Sequence, residues 1–142
     1  MSHVSDLLDF ERAHRNERTL SIFVAAPPAD PARRTNWYAA VCREFGYIRH
    51  RLAAKATEDE QADFNQCVEA FLDHMPPGTR VTHAAAWVWF GTPSGAELMI
   101  PLTTSVQTTV VWDLGPHVAP EFIANGNLER ILPKAAHASV PS

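Results

Sequence analysis

The sequence predicts an α+β fold: a mixed or mainly antiparallel sheet of about four strands, packed in two layers against a helical hairpin. Three observations predict it. Apolar residues recur at spacings of three and four across Trp37 to Lys55 and again across Thr57 to Met75, the period of a helix with one buried face. After Gly78 the period drops to that of strands, and the run Trp87-Val88-Trp89-Phe90 consists of strand-forming types. Helices dominate one block of the chain and strands another, which favours separate layers over alternating strand–helix units.

Each element follows from its residues. Ser5 to His14 is a short helix, capped by Ser5 or Asp6, with Val4, Leu7, Leu8 and Phe10 as its apolar contacts. Leu20 to Ala26 is a nearly continuous apolar run, as expected of an interior strand covered on both faces. Pro27, Pro28 and Pro31 remove ladder donors and end it. In Trp37 to Lys55 the buried stripe is Trp37, Val41, Phe45, Ile48 and Leu52, with Thr35 or Asn36 as N-cap. Gly46 interrupts this helix off the stripe and leaves room for a neighbouring element to approach.

Thr57 to Met75 opens on a capping box, Thr57-x-x-Glu60, and the acids Glu58, Asp59 and Glu60 suit the positive end of the helix dipole. Phe64, Val68, Phe71, Leu72 and Met75 form its stripe, and Pro76-Pro77-Gly78 ends it. The short break between these two helices predicts an antiparallel hairpin. Three strands are read next: Arg80 to Phe90, Glu97 to Leu102, and Val106 to Trp112, with Gly91-Thr92-Pro93-Ser94-Gly95 as the first turn. Their closeness in sequence predicts a meander. A helix over Glu121 to Leu132 follows. Residues 1–135 make a single α+β domain, and 136–142 a disordered tail.

The 142 residues suffice for one core, and 46% hydrophobic with 20% charged residues is the composition of a globular domain. A formal net charge of -4 argues against capture of nucleic acid by global charge and leaves a local basic patch open. Cys42 and Cys67 both fall in predicted helices and read as reduced, half-buried thiols. The acidic N-terminal stretch is not a signal peptide, and no run approaches the ~20 apolar residues of a membrane span. The expectation is a cytoplasmic protein.

Chemistry-bearing patterns are few. Seven histidines, at 3, 14, 50, 74, 83, 117 and 137, include no helical i, i+4 metal pair, and there is no C-x-x-C, so no metal and no cofactor is expected. Asp113 and His117 stand four apart across Gly115-Pro116 and are the candidate pair for a small hydrolase. Ser94 lies in a hairpin turn, not in a nucleophile elbow. Trp87 and Trp89 share a strand face with His83 and are read, with Trp112, as core rather than as a base-stacking platform. The remaining candidate is the turn before the first long helix. Arg33, Arg34 and Asn36 could converge guanidinium and backbone donors on phosphate, with Arg43 and His50 flanking along the helix.

The order of these elements is similar to a known family. The pieces that carry the likeness are Asp30-Pro31-Ala32-Arg33-Arg34, Ile100-Pro101-Leu102 and Pro116-His117-Val118-Ala119-Pro120, in a frame running from about Leu7 to Ile123. Together they resemble the N-terminal domain of the bacterial proteins related to archaeal and eukaryotic peptide-chain release factors. Members of that family carry further domains after this one, and this chain ends at Ser142. Neither a Gly-Gly-Gln tripeptide nor an Asn-Ile-Lys-Ser motif is present. The resemblance therefore implies a non-enzymatic module without peptide-release activity, with ribosomal RNA, tRNA or a translation protein as partner. Two other readings stand beside it: the Asp113/His117 hydrolase, and a homodimer formed through an exposed sheet edge or aromatic face.

Overall fold

A computed structural model describes residues 3–25, 36–75, 86–102 and 107–117. Its elements are α1 (His3–His14), β1 (Arg18–Ala25), α2 (Asn36–Lys55), α3 (Glu58–His74), β2 (Ala86–Gly91), β3 (Glu97–Leu102) and β4 (Thr109–Leu114). The four strands form one antiparallel sheet in the order β3-β2-β1-β4, and the three helices pack against it. The fold is α+β, as the sequence predicts.

The strand order corrects the meander. β3 turns back on β2, but β4 crosses to the far side and pairs with β1. Pro101 supplies the reason. Thr92 N–H donates to Ala96 O at 3.0 Å, which makes that pair a bonded one. Bonded pairs alternate along an antiparallel ladder, so Trp87 and Pro101 form a non-bonded pair and the Pro101 nitrogen faces away from β2. The outer side of β3 thus lacks a donor at Pro101, one residue before its end, and a proline strand takes an edge.

Alternation sorts side chains onto the two faces. Leu20, Ile22 and Val24 of β1, Trp87 and Trp89 of β2, and Val110 of β4 meet Trp37, Val41, Phe45, Ile48 and Leu52 of α2 and Phe64, Cys67, Val68 and Phe71 of α3. Both predicted stripes are buried as expected, except that Leu72 is only partly covered and Cys67 takes a core place. α2 lies mainly over β4 and β1, α3 over β1 and β2. On the opposite face, Leu7 and Phe10 of α1 pack with Phe23, Ala86, Val88, Phe90, Ile100 and Leu102, so α1 gives β1 and β2 their second cover.

Trp87 is fully buried and Trp89 2% exposed, which places both in the core rather than on a stacking surface. The Trp89 ring lies over Gly91, where an added Cβ would stand 2.1 Å from it. The indole rings of Trp37 and Trp87 meet edge to face with centroids 5.3 Å apart. Both indole Nε1 atoms are buried with no acceptor among the described residues.

Local chemistry sets the ends. Thr57 caps α3, accepting from Glu60 N at 3.2 Å. The Glu60 carboxylate turns instead to Trp112, so the capping box is made in one direction only. α2 begins at Asn36, so Asn36 lies inside the helix and is not its cap; Thr35 lies outside the described residues. The β2–β3 turn is closed by Gly95 N donating to Thr92 O, with Gly95 at φ +97 in the left-handed region that glycine adopts at little cost. β4 runs two or three residues later than expected, and Val110 and Trp112 do share its helix-facing side. The expected strand residues 80–85, Val106, the 121–132 helix and the 136–142 tail lie outside the described residues.

Candidate functional site

Arg33 and Arg34, the centre of the predicted phosphate site, lie outside the described residues. What is described is the helix they precede. Its sheet-facing stripe fixes the orientation of everything else on α2. Asn36 is the first residue of α2; Arg43 and His50 are spaced by seven, about two helical turns, and so share one side. That side is opposite the buried stripe, and Arg43 and His50 are both exposed on it. Gly46 lies between them, and a Cβ added to it would meet nothing within 4 Å, so no neighbouring element among the described residues approaches there, contrary to the sequence expectation.

The two long helices divide the charge. α2 carries Arg43, Arg49, Arg51 and Lys55 against Glu44 alone. α3 carries Glu58, Asp59, Glu60, Asp63, Glu69 and Asp73 and no Lys or Arg. Arg49 turns toward α3, where its Nε donates to Asn65 Oδ1 at 2.9 Å and its guanidinium lies 5.8 Å from the Phe64 ring centre. Arg43 and His50 therefore stand on the basic half of a bipolar hairpin. Tyr47 is 61% exposed on the flank of α2 away from Arg49. The sequence carried its signal: Tyr47 stands one residue before Ile48 and so about 100° off the stripe.

Asp113 and His117 are held by separate contacts. Asp113 is exposed, and its Oδ1 accepts from Leu114 N at 2.8 Å. The half-buried His117 donates its backbone N–H to Ser21 Oγ at 3.0 Å, and its ring stands edge-on to Phe23 with centroids 6.2 Å apart.

Two histidines pair with carboxylates that the sequence had not linked. His14 Nδ1 lies 2.8 Å from Glu17 Oε1 at the end of α1. His74 Nδ1 lies 2.8 Å from the Glu97 carboxylate, which also accepts from Trp89 Nε1 at 3.1 Å. Glu17 is a junction: Oε2 accepts from Ser94 N, and its carbonyl accepts from Thr19 Oγ1 and Gly115 N. Burial opposes ionisation of Glu17, but the hydrogen bonds from His14 and Ser94 outweigh it and hold the carboxyl below its ordinary range. Among the described residues no group of three or more His, Cys, Asp or Glu could hold a metal ion.

Cys67 is buried, not half-buried as expected, and Cys42 is intermediate. Burial, followed by the negative charges of Asp63, Glu17 and Glu97, pushes the Cys67 thiol up to about 12. Its Sγ faces Gly91 O at 3.7 Å. It is a protonated core side chain at neutral pH, not a nucleophile. No helix among the described residues is long and apolar enough to cross a membrane. Comparison of the chain with models of protein families gives no match, and comparison with curated proteins gives none either.

Proposed function

We propose that the protein is a non-enzymatic binding module that contacts a phosphate backbone, that of an RNA, along the outer side of α2. The observation that carries this reading is the alignment of Arg43 and His50 on one exposed side of the basic helix. Arg33 and Arg34 precede the same helix in sequence and extend the positive run toward its N-terminus, where backbone N–H groups favour anions. Three of the carboxylates are committed to structural bonds: Glu17 to Ser94, Glu60 to Trp112, and Asp63 to Arg18 at 2.8 Å. The resemblance to the N-terminal domain of release-factor relatives supplies the class of partner, which is ribosomal RNA, tRNA or a translation protein.

Binding of a fluorescent single-stranded RNA and of a tRNA, titrated against salt, tests this. Arg33→Ala with Arg34→Ala, and separately Arg43→Ala with His50→Ala, are expected to weaken binding of all sequences and to lower the salt slope by about 0.7 per cation removed. Absence of binding at low salt, or a slope that neither pair changes, defeats the proposal.

A further inference from the structure

We infer that two copies of this chain join through the outer edges of β4, extending the sheet across a two-fold axis and setting both α2 helices on the same side.

The backbone of β4 carries the first part of the argument. Gly115 N–H donates to Glu17 O at 2.9 Å, and the β1–β4 register places those two residues opposite each other. Bonded pairs alternate, so Thr19/Asp113, Ser21/Val111 and Phe23/Thr109 turn their polar groups toward one another. Val110 and Trp112 therefore point their N–H and C=O groups away from β1. Leu114 points outward too, but its N–H is already taken by Asp113 Oδ1. Among the described residues no strand pairs with this edge.

Parity then narrows the possible self-pairings. Outward groups belong to even-numbered residues, so an antiparallel copy can bond only even to even. Centring the axis on Val111 sets Val110 against Trp112 of the second copy, and Trp112 against its Val110, using donors and acceptors that no strand among the described residues pairs with. Centring it on Trp112 would require the occupied Leu114 N–H. The chosen register also matches side chains. Val110 and Trp112 meet on the helix-facing side, the Val111 residues meet each other on the opposite side, and the exposed Thr109 meets the exposed Asp113 at each end. The surface is self-complementary, as an isologous contact must be.

The surroundings favour the same edge. β4 carries neither the outward-facing proline that guards β3 nor a lysine. α2 lies over β4, and its flank away from α3 is on the side of this edge. Tyr47 is on that flank, with Glu44 and Arg51 seven residues apart on either side of it. A two-fold axis reverses the second helix, so opposite charges face each other across the seam and the exposed tyrosines roof it.

The test uses the full chain and no RNA, so it stands apart from the reading of Arg43 and His50. Opposed residues of a non-bonded pair have Cα atoms about 4.5 Å apart, within disulfide reach. Val111→Cys is expected to give a disulfide-linked dimer on mild oxidation, while wild type and Leu114→Cys do not. Light scattering is expected to give twice the chain mass. Thr109→Asp sets carboxylates against Asp113 of the second copy at both ends and is expected to raise the dimer Kd about tenfold. Adding Asp113→Lys to Thr109→Asp is expected to restore it. Circular dichroism checks that each variant is folded. A wild-type monomer at high micromolar concentration overturns the proposal, as does a dimer that Val111→Cys does not trap or that Thr109→Asp leaves unchanged.

Discussion

Trp112 Nε1 donates to Glu60 Oε2 at 2.9 Å, joining edge strand β4 to the first turn of α3. The same indole stands edge-on to Phe64, with centroids 5.2 Å apart. One side chain thus combines apolar packing with a charge-assisted bond.

Trp112→Phe keeps an aromatic ring against Phe64 and removes the donor. The expected loss is about 1–2 kcal/mol, since a bond to a charged acceptor contributes more than a neutral one. Urea unfolding monitored by circular dichroism measures it. Unchanged stability would mean that water replaces the indole at Glu60 without penalty.

Glu17 predicts an acid-sensitive junction. Its folded pKa lies below its unfolded value, so its contribution is present above the ordinary carboxylate range near ~4.3. That contribution is lost as pH falls through the lower folded value. Glu17→Gln is expected to narrow the stability difference between pH 7 and pH 3 relative to wild type. Thermal melts across that range check the sign; an identical difference in the variant refutes it.

Cys67 is expected to resist thiol reagents at neutral pH in the folded state, because burial keeps its thiol protonated. The half-buried Cys42 is expected to react first. A colourimetric thiol titration should count one group in native buffer and two in denaturant. Rapid native reaction of both would contradict the packing of Cys67 under Gly91.

The helical half of this fold was legible because its signal is local. Trp37, Val41, Phe45, Ile48 and Leu52 are buried as their spacing required. Thr57 caps α3 as its position required. The strand order was not legible in the same way. Whether β4 pairs with β3 or β1 depends on which edge has free donors, and that depends on which way the Pro101 nitrogen faces. The sequence shows the proline but not its phase in the ladder. The Glu17 and Glu97 contacts were hidden for a similar reason: Ser94 and His74 reach them from distant parts of the chain. Of the candidate site, Arg43 and His50 were readable by their spacing, whereas the charge division between α2 and α3 emerges only when the helices are taken as a pair.

The paired indoles of Trp37 and Trp87 imply that the domain is not equally firm along its length. Neither indole N–H has an acceptor among the described residues, and a buried N–H left without one costs about 1–3 kcal/mol relative to a bonded one. Arg18–Asp63, Trp112–Glu60 and the Glu17 contacts all gather at the opposite end, where β1 begins. The molecule should therefore breathe from the tryptophan end inward. Hydrogen exchange is expected to release the amides of Val24 and Val88 before those of Leu20 and Phe90. Replacing Trp37 by Phe, which removes one donor that has no acceptor among the described residues while keeping most of the ring, should slow that opening rather than hasten it.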